Sequence, residues 1–329
     1  MSMKRIIFFV NSIVIVFISC NNNSIQIPTI KLNPVQSVSQ FRDSVFLSGI
    51  RSIYFDNNTY YLTDYERNKI FVLNKDFELL KFFGEEGKGP RELLGASQIY
   101  VNEDSIYVYN DSKDALELFN NGNHIKTINL PYDINFNGDT RFFIRDHLIF
   151  MSNPNESSSI SCFSIDGILL KNFGDIKKYQ TDKETIINNF KHVCFYNDNI
   201  LAVSDCNPNI EMYKMNGEKI AEYDFSCLPM VKKLMKFTGR QSLSSNSYYV
   251  IISDIYIFKN KLFLLTLSVN KKNKIEANKI LQFEIKEQTL EPTKILDLGK
   301  GWYSPICVSQ DYIIAFNQTT SELTKYNLP

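Results

Sequence analysis

Residues 55–83 read FDNNTYYLTDYERNKIFVLNKDFELLKFF, and this stretch contains the pattern that decides the fold. Two β-rich runs, Tyr60–Thr63 and Lys69–Leu73, are separated by a polar loop. A short turn at residues 74–76 then leads to a third run, Glu78–Phe83. Runs rich in β-branched and aromatic residues, bounded by Asn and Asp, are typical of strands joined by tight turns. The segment therefore predicts consecutive antiparallel strands of one small sheet.

The polar turn that precedes the first of these runs recurs along the whole chain. Its six occurrences are 43 to 62 residues apart and begin at Phe55, Val101, Ile144, Tyr196, Phe258 and Val308. A four-stranded propeller blade takes about 40–50 residues. The sequence therefore predicts an all-β fold, a six-bladed β-propeller of four-stranded antiparallel blades. A pair of β-sandwiches is the alternative, but it would not explain the recurring period.

The sixth unit has only three strand patterns before the sequence reaches Pro329. The extended segment Ile27–Leu32, which precedes the first unit, can supply the missing strand. Pairing an N-terminal strand into the last blade closes the ring and leaves no open sheet edge. We therefore expect one propeller domain over residues 27–329.

Two insertions interrupt the regular units, near residues 175–190 and 228–247. The first contains Thr181 followed by Glu184, the spacing of a capping box at the start of a short helix. The second, Leu228–Phe237, places Val231, Leu234 and Met235 on one helical face. Because both insertions lie between blades, we expect them to project over one face of the propeller.

The N-terminus predicts export. Two basic residues precede an apolar run, Ile6–Ile18, that is too short to span a membrane. The sequence Phe17-Ile-Ser-Cys20 resembles the lipobox of bacterial lipoproteins. We expect residues 1–20 to be a signal peptide ending at a lipidated Cys20 and residues 21–30 to be a tether. The membrane would then be one partner of the protein, most simply the outer membrane of the cell envelope; the leaflet face stays open.

Composition excludes one class of partner and restricts cysteine chemistry. The chain has 36 basic and 36 acidic residues, so it has none of the clustered basic excess that nucleic-acid binding requires. Five cysteines follow Cys20, an odd number without a C-x-x-C pair. We predict buried free thiols for these residues, although pairing of some stays open: Cys162, Cys194, Cys206, Cys227 and Cys307.

The segment Phe83–Leu93 resembles the G-x-x-G-x-G-P-G-E-F signature of Bacteroidota six-bladed propeller lipoproteins, which are related to NHL-repeat and TolB-like propellers. The positions that agree are Gly84, Gly87, Gly89, Pro90 and Glu92, whereas Arg91 replaces a Gly and Leu93 a Phe. The resemblance implies the fold and an envelope location. Relatives include binding scaffolds and some lyases, so function has to be argued from a site.

In a four-stranded blade, the loop between strands two and three lies on the same face as the connection to the next blade. We expect this face, around the central channel, to hold the ligand site. The candidate ligand-binding residues are Asp64, Arg67, Lys88, Arg91, Glu92, Asp111 and Asp205. For the aspartates the alternative is that their side chains cap local backbone groups.

No strong catalytic or metal site emerges from the sequence. The three histidines, His124, His147 and His192, fall in different units. Calcium held by Asp111 and Asp205 is possible but unsupported. We therefore expect no cofactor and a non-catalytic, lipid-anchored propeller that binds a solute, such as a glycan or peptide, or an envelope protein. The alternatives are a lyase-like propeller enzyme, with or without a metal, and a structural component of an envelope complex.

Overall fold

The computed structural model describes residues 26–41, 45–89, 91–131, 133–241 and 247–329. Four short strands precede the first blade: β1 Thr29–Lys31, β2 Pro34–Val38, β3 Gln40–Phe41 and β4 Val45–Phe46. Blade 1 comprises β5 Ile50–Asp56, β6 Thr59–Asp64, β7 Lys69–Asn74 and β8 Leu79–Phe83. A short parallel pair follows, β9 Glu85–Glu86 and β10 Glu92–Leu93. Blade 2 comprises β11 Ala96–Asn102, β12 Ser105–Asn110, β13 Ala115–Asn120 and β14 Asn123–Asn129.

The remaining blades follow in chain order. Blade 3 comprises β15 Phe143–Arg145, β16 Leu148–Ser152, β17 Ile160–Ser164 and β18 Leu169–Phe173. Blade 4 comprises β19 Lys191–Tyr196, β20 Asn199–Ser204, β21 Asn209–Lys214 and β22 Lys219–Asp224. Blade 5 contains β23 Ile252–Phe258, β24 Lys261–Val269, β25 Ile275–Lys286 and β26 Thr289–Asp297. Blade 6 contains β27 Tyr303–Val308, β28 Tyr312–Asn317 and β29 Glu322–Asn327.

Within each blade, successive strands pair antiparallel in chain order. The first strands of neighbouring blades contact one another around the ring, and β27 of blade 6 returns to β5 of blade 1. In the described residues the strands therefore form six blades around a central channel. This confirms the predicted six-bladed propeller of four-stranded antiparallel blades.

The turns between the first and second strands explain why the polar repeat is so regular. At Asn57 and Asn58 the backbone has positive φ angles of 43° and 62°. Two successive residues of positive φ make the hairpin turn whose twist matches that of the flanking strands, and Asn tolerates this conformation better than most side chains. The recurring Asn and Asp residues are therefore required by the turn geometry.

The ring is closed by an N-terminal strand, but not by the predicted segment. β2, Pro34–Val38, pairs antiparallel with β29 as the outermost strand of blade 6. Within the predicted segment Ile27–Leu32, β1 instead runs parallel to β26 and adds a fifth strand to blade 5. The assignment was wrong because β2 is largely exposed and carries a weak apolar pattern, whereas the earlier segment is richer in isoleucine and leucine.

The apolar core lies between the blades rather than in one central mass. Buried clusters fill the spaces between neighbouring sheets; one of them packs Leu62 of blade 1 with Phe316 and Leu323 of blade 6. Both faces of the middle strands are therefore buried, as in β20, where Ile200–Ser204 are all buried. This packing holds the first strands, and the side chains on them, in a fixed ring.

Both predicted inter-blade helices are present. α1, Asp182–Ile187, is capped by Thr181, whose Oγ1 accepts the N–H of Glu184 at 3.1 Å. α2, Pro229–Thr238, buries Val231 and Leu234, but Met235 of the predicted apolar face is 39% exposed. None of the helices in the described part of the chain is long and apolar enough to span a membrane.

Four of the five cysteines after Cys20 are free thiols, as predicted: Cys162, Cys194, Cys206 and Cys307. Cys162 and Cys307 are buried, whereas Cys194 and Cys206 are partly exposed. Cys227, for which pairing stayed open, is not among these free thiols. The predicted signal peptide, Cys20 and the first part of the tether lie outside the described residues.

Candidate functional site

The first strands of the blades place side chains at three levels along the central channel. At one end, Arg51 of blade 1 and Ser304 of blade 6 line a wide cavity. In the middle, Asp254 of blade 5 forms a buried ion pair. At the other end, Tyr54 and Tyr256 line a smaller cavity. The order of these residues along each strand fixes the order of the levels.

The wide cavity, which we call the mouth cavity, has a volume of about 450 Å³. It is built from first strands, from connections between blades and from loops between second and third strands. Its lining residues are Gly49, Arg51, Tyr65, Glu66, Asn137, Asp139, Thr140, His192, Asp205, Tyr248, Val250, Ile252, Ser253, Leu267, Trp302, Ser304 and Gln318. A volume of about 300–1,000 Å³ is usual for small-molecule sites.

One wall of the mouth cavity is an ion pair beside an aromatic ring. The guanidinium of Arg51 hydrogen-bonds the carboxylate of Asp139, and the two side chains are 41% and 57% exposed. The Arg51 Cζ lies 4.7 Å from the centre of the Tyr65 ring. The cation at this wall is therefore already paired and stacked.

Two further aromatic side chains line the mouth cavity. Trp302, the single tryptophan of the chain, is 42% exposed. The hydroxyl of Tyr248 accepts a hydrogen bond from Asn137 Nδ2 at 3.2 Å. Gln318 secures the wall below Trp302, since its Nε2 donates to the carbonyl oxygens of Ile50 and Ser304 at 2.9 and 2.6 Å. These contacts hold a partly exposed aromatic surface at the channel entrance.

His192 forms part of the cavity floor and has both ring nitrogens occupied. Its Nδ1 accepts the backbone N–H of Arg141 at 3.3 Å, and its Nε2 lies 3.4 Å from the carbonyl oxygen of Ile252. Because a carbonyl only accepts, Nε2 carries the proton. Burial lowers the pKa of His192 to about 4, with the nearby charge of Asp254 acting in the opposite direction. At neutral pH the ring is therefore uncharged and fixed in one tautomer.

Asp205 differs from the other carboxylates of the cavity because it lacks a complete set of partners. It follows β20 directly and is only 3% exposed. Its Oδ1 is buried and has no hydrogen-bond partner in the described part of the protein. Burial raises the pKa of this carboxyl well above its usual value. A buried carboxyl oxygen without a donor is unusual and calls for an explanation.

The middle level closes the channel below the cavity. Arg141 donates from Nε and Nη2 to the two carboxylate oxygens of Asp254 at 2.7 and 2.8 Å. Nη2 also donates to the carbonyl oxygen of Ile306 at 2.8 Å, and Asp254 accepts the N–H of Ile306 at 2.8 Å. Burial alone would lower the pKa of Arg141, but the charge of Asp254 more than offsets this, so its pKa lies above the usual value. Arg141 therefore keeps its charge in this pair.

Beyond this ion pair lies a cavity of about 170 Å³, the aromatic cavity. Its lining residues are Tyr54, Ile99, Tyr100, Arg141, Phe142, Phe143, Cys194, Phe195, Tyr256 and Ile257. The rings of Tyr54 and Tyr100 meet edge to face with their centres 5.3 Å apart. In this cavity the aromatic rings pack mainly against one another.

Two of the predicted site residues lie at or beside the mouth cavity. Asp205 lines it, and Asp111 lines a neighbouring cavity of about 90 Å³ that shares Arg51 and Asp139 with it. Asp111 Oδ1 accepts a hydrogen bond from Ser97 at 2.7 Å. Burial raises the pKa of Asp111 to about 6, and its bond to Ser97 opposes this shift.

The structure places Asp64 in a capping role. It is fully buried, and its carboxylate accepts the backbone N–H groups of Ser48, Gly49 and Arg67 at 2.9, 3.2 and 3.1 Å. These bonds hold the loop that carries Tyr65 and Glu66 into the cavity. The neighbouring Arg67 is exposed and does not line the mouth cavity.

The glycine-rich loop that carries Lys88, Arg91 and Glu92 folds onto itself away from the mouth cavity. Glu92 Oε2 accepts the N–H of Gly89 at 2.6 Å, and a Cβ on Gly87 would lie 2.0 Å from the same oxygen. Lys88 and Arg91 are exposed. Arg91 has a φ of 75°, which explains why the related signature has a glycine at this position. Pro90 lies outside the described residues.

Sequence reasoning missed most of the cavity wall: Arg51, Tyr65, Asp139, His192, Tyr248 and Trp302. The turns gave no signal for them, because several lie on first strands or on irregular connections between blades. The one signal was the single tryptophan near the start of blade 6. In the described residues no group of three or more His, Cys, Asp or Glu side chains could hold a metal ion.

Comparison with known proteins places the chain in a family. The sequence profile of the family DUF5128, described as 6-bladed beta-propeller, matches residues 40–236, more than half of the 329 residues. The chain belongs to this 6-bladed beta-propeller family. The match covers the first four blades and includes the glycine-rich loop and α1. No curated protein matches the DUF5128 chain in sequence.

Solved structures share the fold of this DUF5128 protein at low sequence identity. A member of the DUF4221 family from Bacteroides vulgatus superposes with a TM-score of 0.57 at 10% identity, covering 90% of this chain and 97% of the other. A Bacteroides fragilis protein whose name describes it as exported gives 0.55 at 14% identity and covers 88% of each chain. Virginiamycin B lyase from Staphylococcus aureus gives 0.51 at 12% identity, covering 89% and 99%. At such identities the likeness extends to the fold alone.

Proposed function

We propose that this protein is a lipid-anchored envelope propeller that binds a small solute in the mouth cavity without chemical conversion. The observation that carries the proposal is the cavity itself, about 450 Å³ with three aromatic side chains and a buried carboxyl on its walls. A concave site of this volume is typical of small-molecule binding. Hydrogen bonds hold the loops that carry these groups, as Asp64 does for the loop with Tyr65 by accepting from Ser48, Gly49 and Arg67.

Two observations support the envelope location. The N-terminal sequence, residues 1–20, has the charged, apolar and small-residue segments of an exported precursor and ends in a cysteine. A protein of the same fold from Bacteroides fragilis carries a name that describes it as exported. A propeller tethered through Cys20 would present its loop-bearing face to solutes in the compartment outside the inner membrane.

Three ionisable groups of the cavity already have protein partners, and this supports binding of a solute without its chemical conversion. A general acid or base must be free to exchange a proton with the substrate. His192 is neutral and uses both ring nitrogens on backbone groups. Arg51 and Asp139 are paired with each other. These polar groups are arranged to shape the cavity and to recognise a solute.

The single tryptophan provides a direct test. Trp302 lies at the rim, so solute entry should change its fluorescence, and no other tryptophan contributes to the signal. Full-length protein in detergent would be titrated with small glycans, short peptides and organic amines. We expect at least one class to shift the emission in a saturable way.

Two adjacent tyrosines form a matched pair of variants. Tyr248 lines the mouth cavity, whereas Tyr249 lines a different cavity near α2. Tyr248→Ala should weaken binding about tenfold, the effect of losing one good contact, and Tyr249→Ala should leave it unchanged. A solute that shifts the emission equally well in both variants, or a panel in which nothing binds, would contradict the proposal.

A further inference from the structure

The charges around the mouth cavity favour a cationic ligand. Its acidic lining residues are Glu66, Asp139 and Asp205, and its one permanently charged basic residue is Arg51. Arg51 is already bound to Asp139, so it neutralises that carboxylate and not the other two. A further titratable neighbour, His192, is uncharged at neutral pH because burial lowers its pKa to about 4. The carboxyl groups of Glu66 and Asp205 are therefore not paired with a cation of the cavity.

The unpartnered carboxyl of Asp205 identifies where a cation would bind. The side chain lines the cavity and is 97% removed from solvent, yet Oδ1 lacks a donor among the described residues. Two donors of the cavity are already used, the first of them the Nε2 proton of His192, which lies toward the carbonyl of Ile252. The amide of Asn137 donates to Tyr248. A donor group on a molecule that enters the cavity would complete the hydrogen bonding of Oδ1.

The aromatic rim complements a positively charged group. Tyr65, Tyr248 and Trp302 line the cavity, and Trp302 is 42% exposed. A cation or its apolar substituents bind favourably over the face of such rings, Trp being the best. Carboxyl groups below and aromatic rings above are a common arrangement for holding an ammonium group with an organic body.

From this geometry, and resting on the proposed function, we propose that the ligand is an organic amine whose ammonium group donates to Asp205 while its body packs against Trp302. Ammonium supplies three donors and no acceptor, which suits a carboxyl that lacks a donor. A free amine, an amino sugar and the N-terminus of a short peptide share this chemistry. A neutral alcohol of the same shape would satisfy one oxygen but would bring no positive charge to the carboxyl groups of the cavity.

Proton release on binding would distinguish an amine ligand from a ligand held by hydrophobic contacts alone. Burial raises the pKa of Asp205 well above its usual value, so in the empty cavity the carboxyl holds a proton to higher pH than an exposed aspartate does. An adjacent ammonium favours the charged carboxylate and lowers that pKa. Binding of an amine should therefore release protons, and affinity should rise as pH increases through the titration of Asp205.

The experiment compares matched amines and alcohols by Trp302 fluorescence and titration calorimetry, using full-length protein in detergent. The probes are 2-phenylethylamine with 2-phenylethanol, and glucosamine with glucose. At least one amine should bind at least about tenfold more tightly than its hydroxyl counterpart, which corresponds to one charge-assisted contact. Calorimetry in two buffers of different ionisation enthalpy should show proton release for that amine.

Two variants separate a specific role of Asp205 from general damage. Asp205→Asn should reduce amine affinity about tenfold and abolish proton release, with the alcohol unaffected. Asp166→Asn changes an exposed carboxylate that is paired with Lys126 and does not line the mouth cavity, and it should behave like the unmodified protein. Thermal melting of both variants checks that they fold.

The possible failures are distinguishable. If amines and alcohols bind equally, or if Asp205→Asn binds the amine as well as the unmodified protein does, the amine inference is overturned while solute binding stands. If only neutral glycans or peptides shift Trp302 fluorescence, the inference again fails and the proposed function survives. If no probe of any class binds, both are overturned.

Discussion

Loss of the ion pair between Arg141 and Asp254 should be among the most destabilising single changes in this protein. The pair is buried, with side-chain exposures of 7% and 2%, and it connects three blades through Asp254, Ile306 and the start of β15. Arg141→Met would leave the carboxylate with two backbone donors, Ile255 and Ile306, and no cation. An uncompensated buried charge costs about 3–5 kcal/mol. At about 2 °C per kcal/mol for a domain of this size, the melting temperature should fall by about 6–10 °C.

The chain offers a matched control for this prediction. Arg51 also pairs with an aspartate, Asp139, but both side chains of that pair are substantially exposed. Exposed ion pairs contribute about 0–1 kcal/mol. Arg51→Met should therefore lower the melting temperature by no more than about 2 °C. The same substitution at two arginines then isolates the effect of burial.

A double variant tests the mechanism of the loss. Arg141→Met combined with Asp254→Leu removes both charges, so the remaining cost should come from the packing and from the unpaired N–H and C=O groups of Ile306. We expect the double variant to lose less stability than the sum of the two single variants, with a coupling of at least about 1 kcal/mol. Differential scanning calorimetry of all four proteins measures this coupling. An Arg141→Met variant that melts like Arg51→Met, or strictly additive effects, would refute the reasoning.

Three further outcomes follow from other parts of the structure. Burial lowers the pKa of His192 to about 4, so its contribution to stability is present above pH 6.5 and is lost as the pH falls toward 4. Between these pH values, His192→Gln should lose up to about 3 kcal/mol less unfolding free energy than the unmodified protein, as measured by melting at a series of pH values. Arg91→Gly should raise the free energy of unfolding by about 1 kcal/mol, since Arg91 has a φ of 75°, and a destabilised variant in urea melts would contradict this. Deletion through residue 38 removes β2 and should cause aggregation, whereas deletion through residue 31 removes only β1; equal light scattering from both would show that β2 does not close the ring.

The fold could be predicted because every blade repeats the same local requirements. Tight turns need Asn, Asp or Gly where φ is positive, and buried strands need apolar side chains on both faces. These signals are local, and six copies reinforce one another. The closing strand could not be found in this way, because Pro34–Val38 makes an outer, exposed strand that is selected by its position after β1 and not by an apolar pattern. Ring closure depends on pairing between residues that are far apart in sequence.

The site was only partly predictable for the same reason. Asp205 follows directly from a predicted strand, so its place on the loop-bearing face could be inferred. Its contribution to a cavity depends on Arg51, Tyr248 and Trp302, which are far apart in sequence and meet only when the ring has closed. The glycine-rich loop attracted attention because its pattern is conspicuous, but Glu92 and Gly89 use that pattern to satisfy the loop's own backbone.

The buried ion pair also determines how the mouth cavity can be used. Arg141 and Asp254 fill the channel between the two cavities and are fixed by hydrogen bonds to blade 6. A solute that enters the mouth cavity therefore meets a floor that includes His192, and the ion pair of Arg141 and Asp254 separates it from Tyr54 and Tyr256. The buried carboxyl of Asp205 lies away from bulk water, where its interaction with a cation would be weak. The same pair that stabilises the ring thus makes the mouth cavity a one-ended site, suited to retaining a bound amine and not to passing it through the propeller.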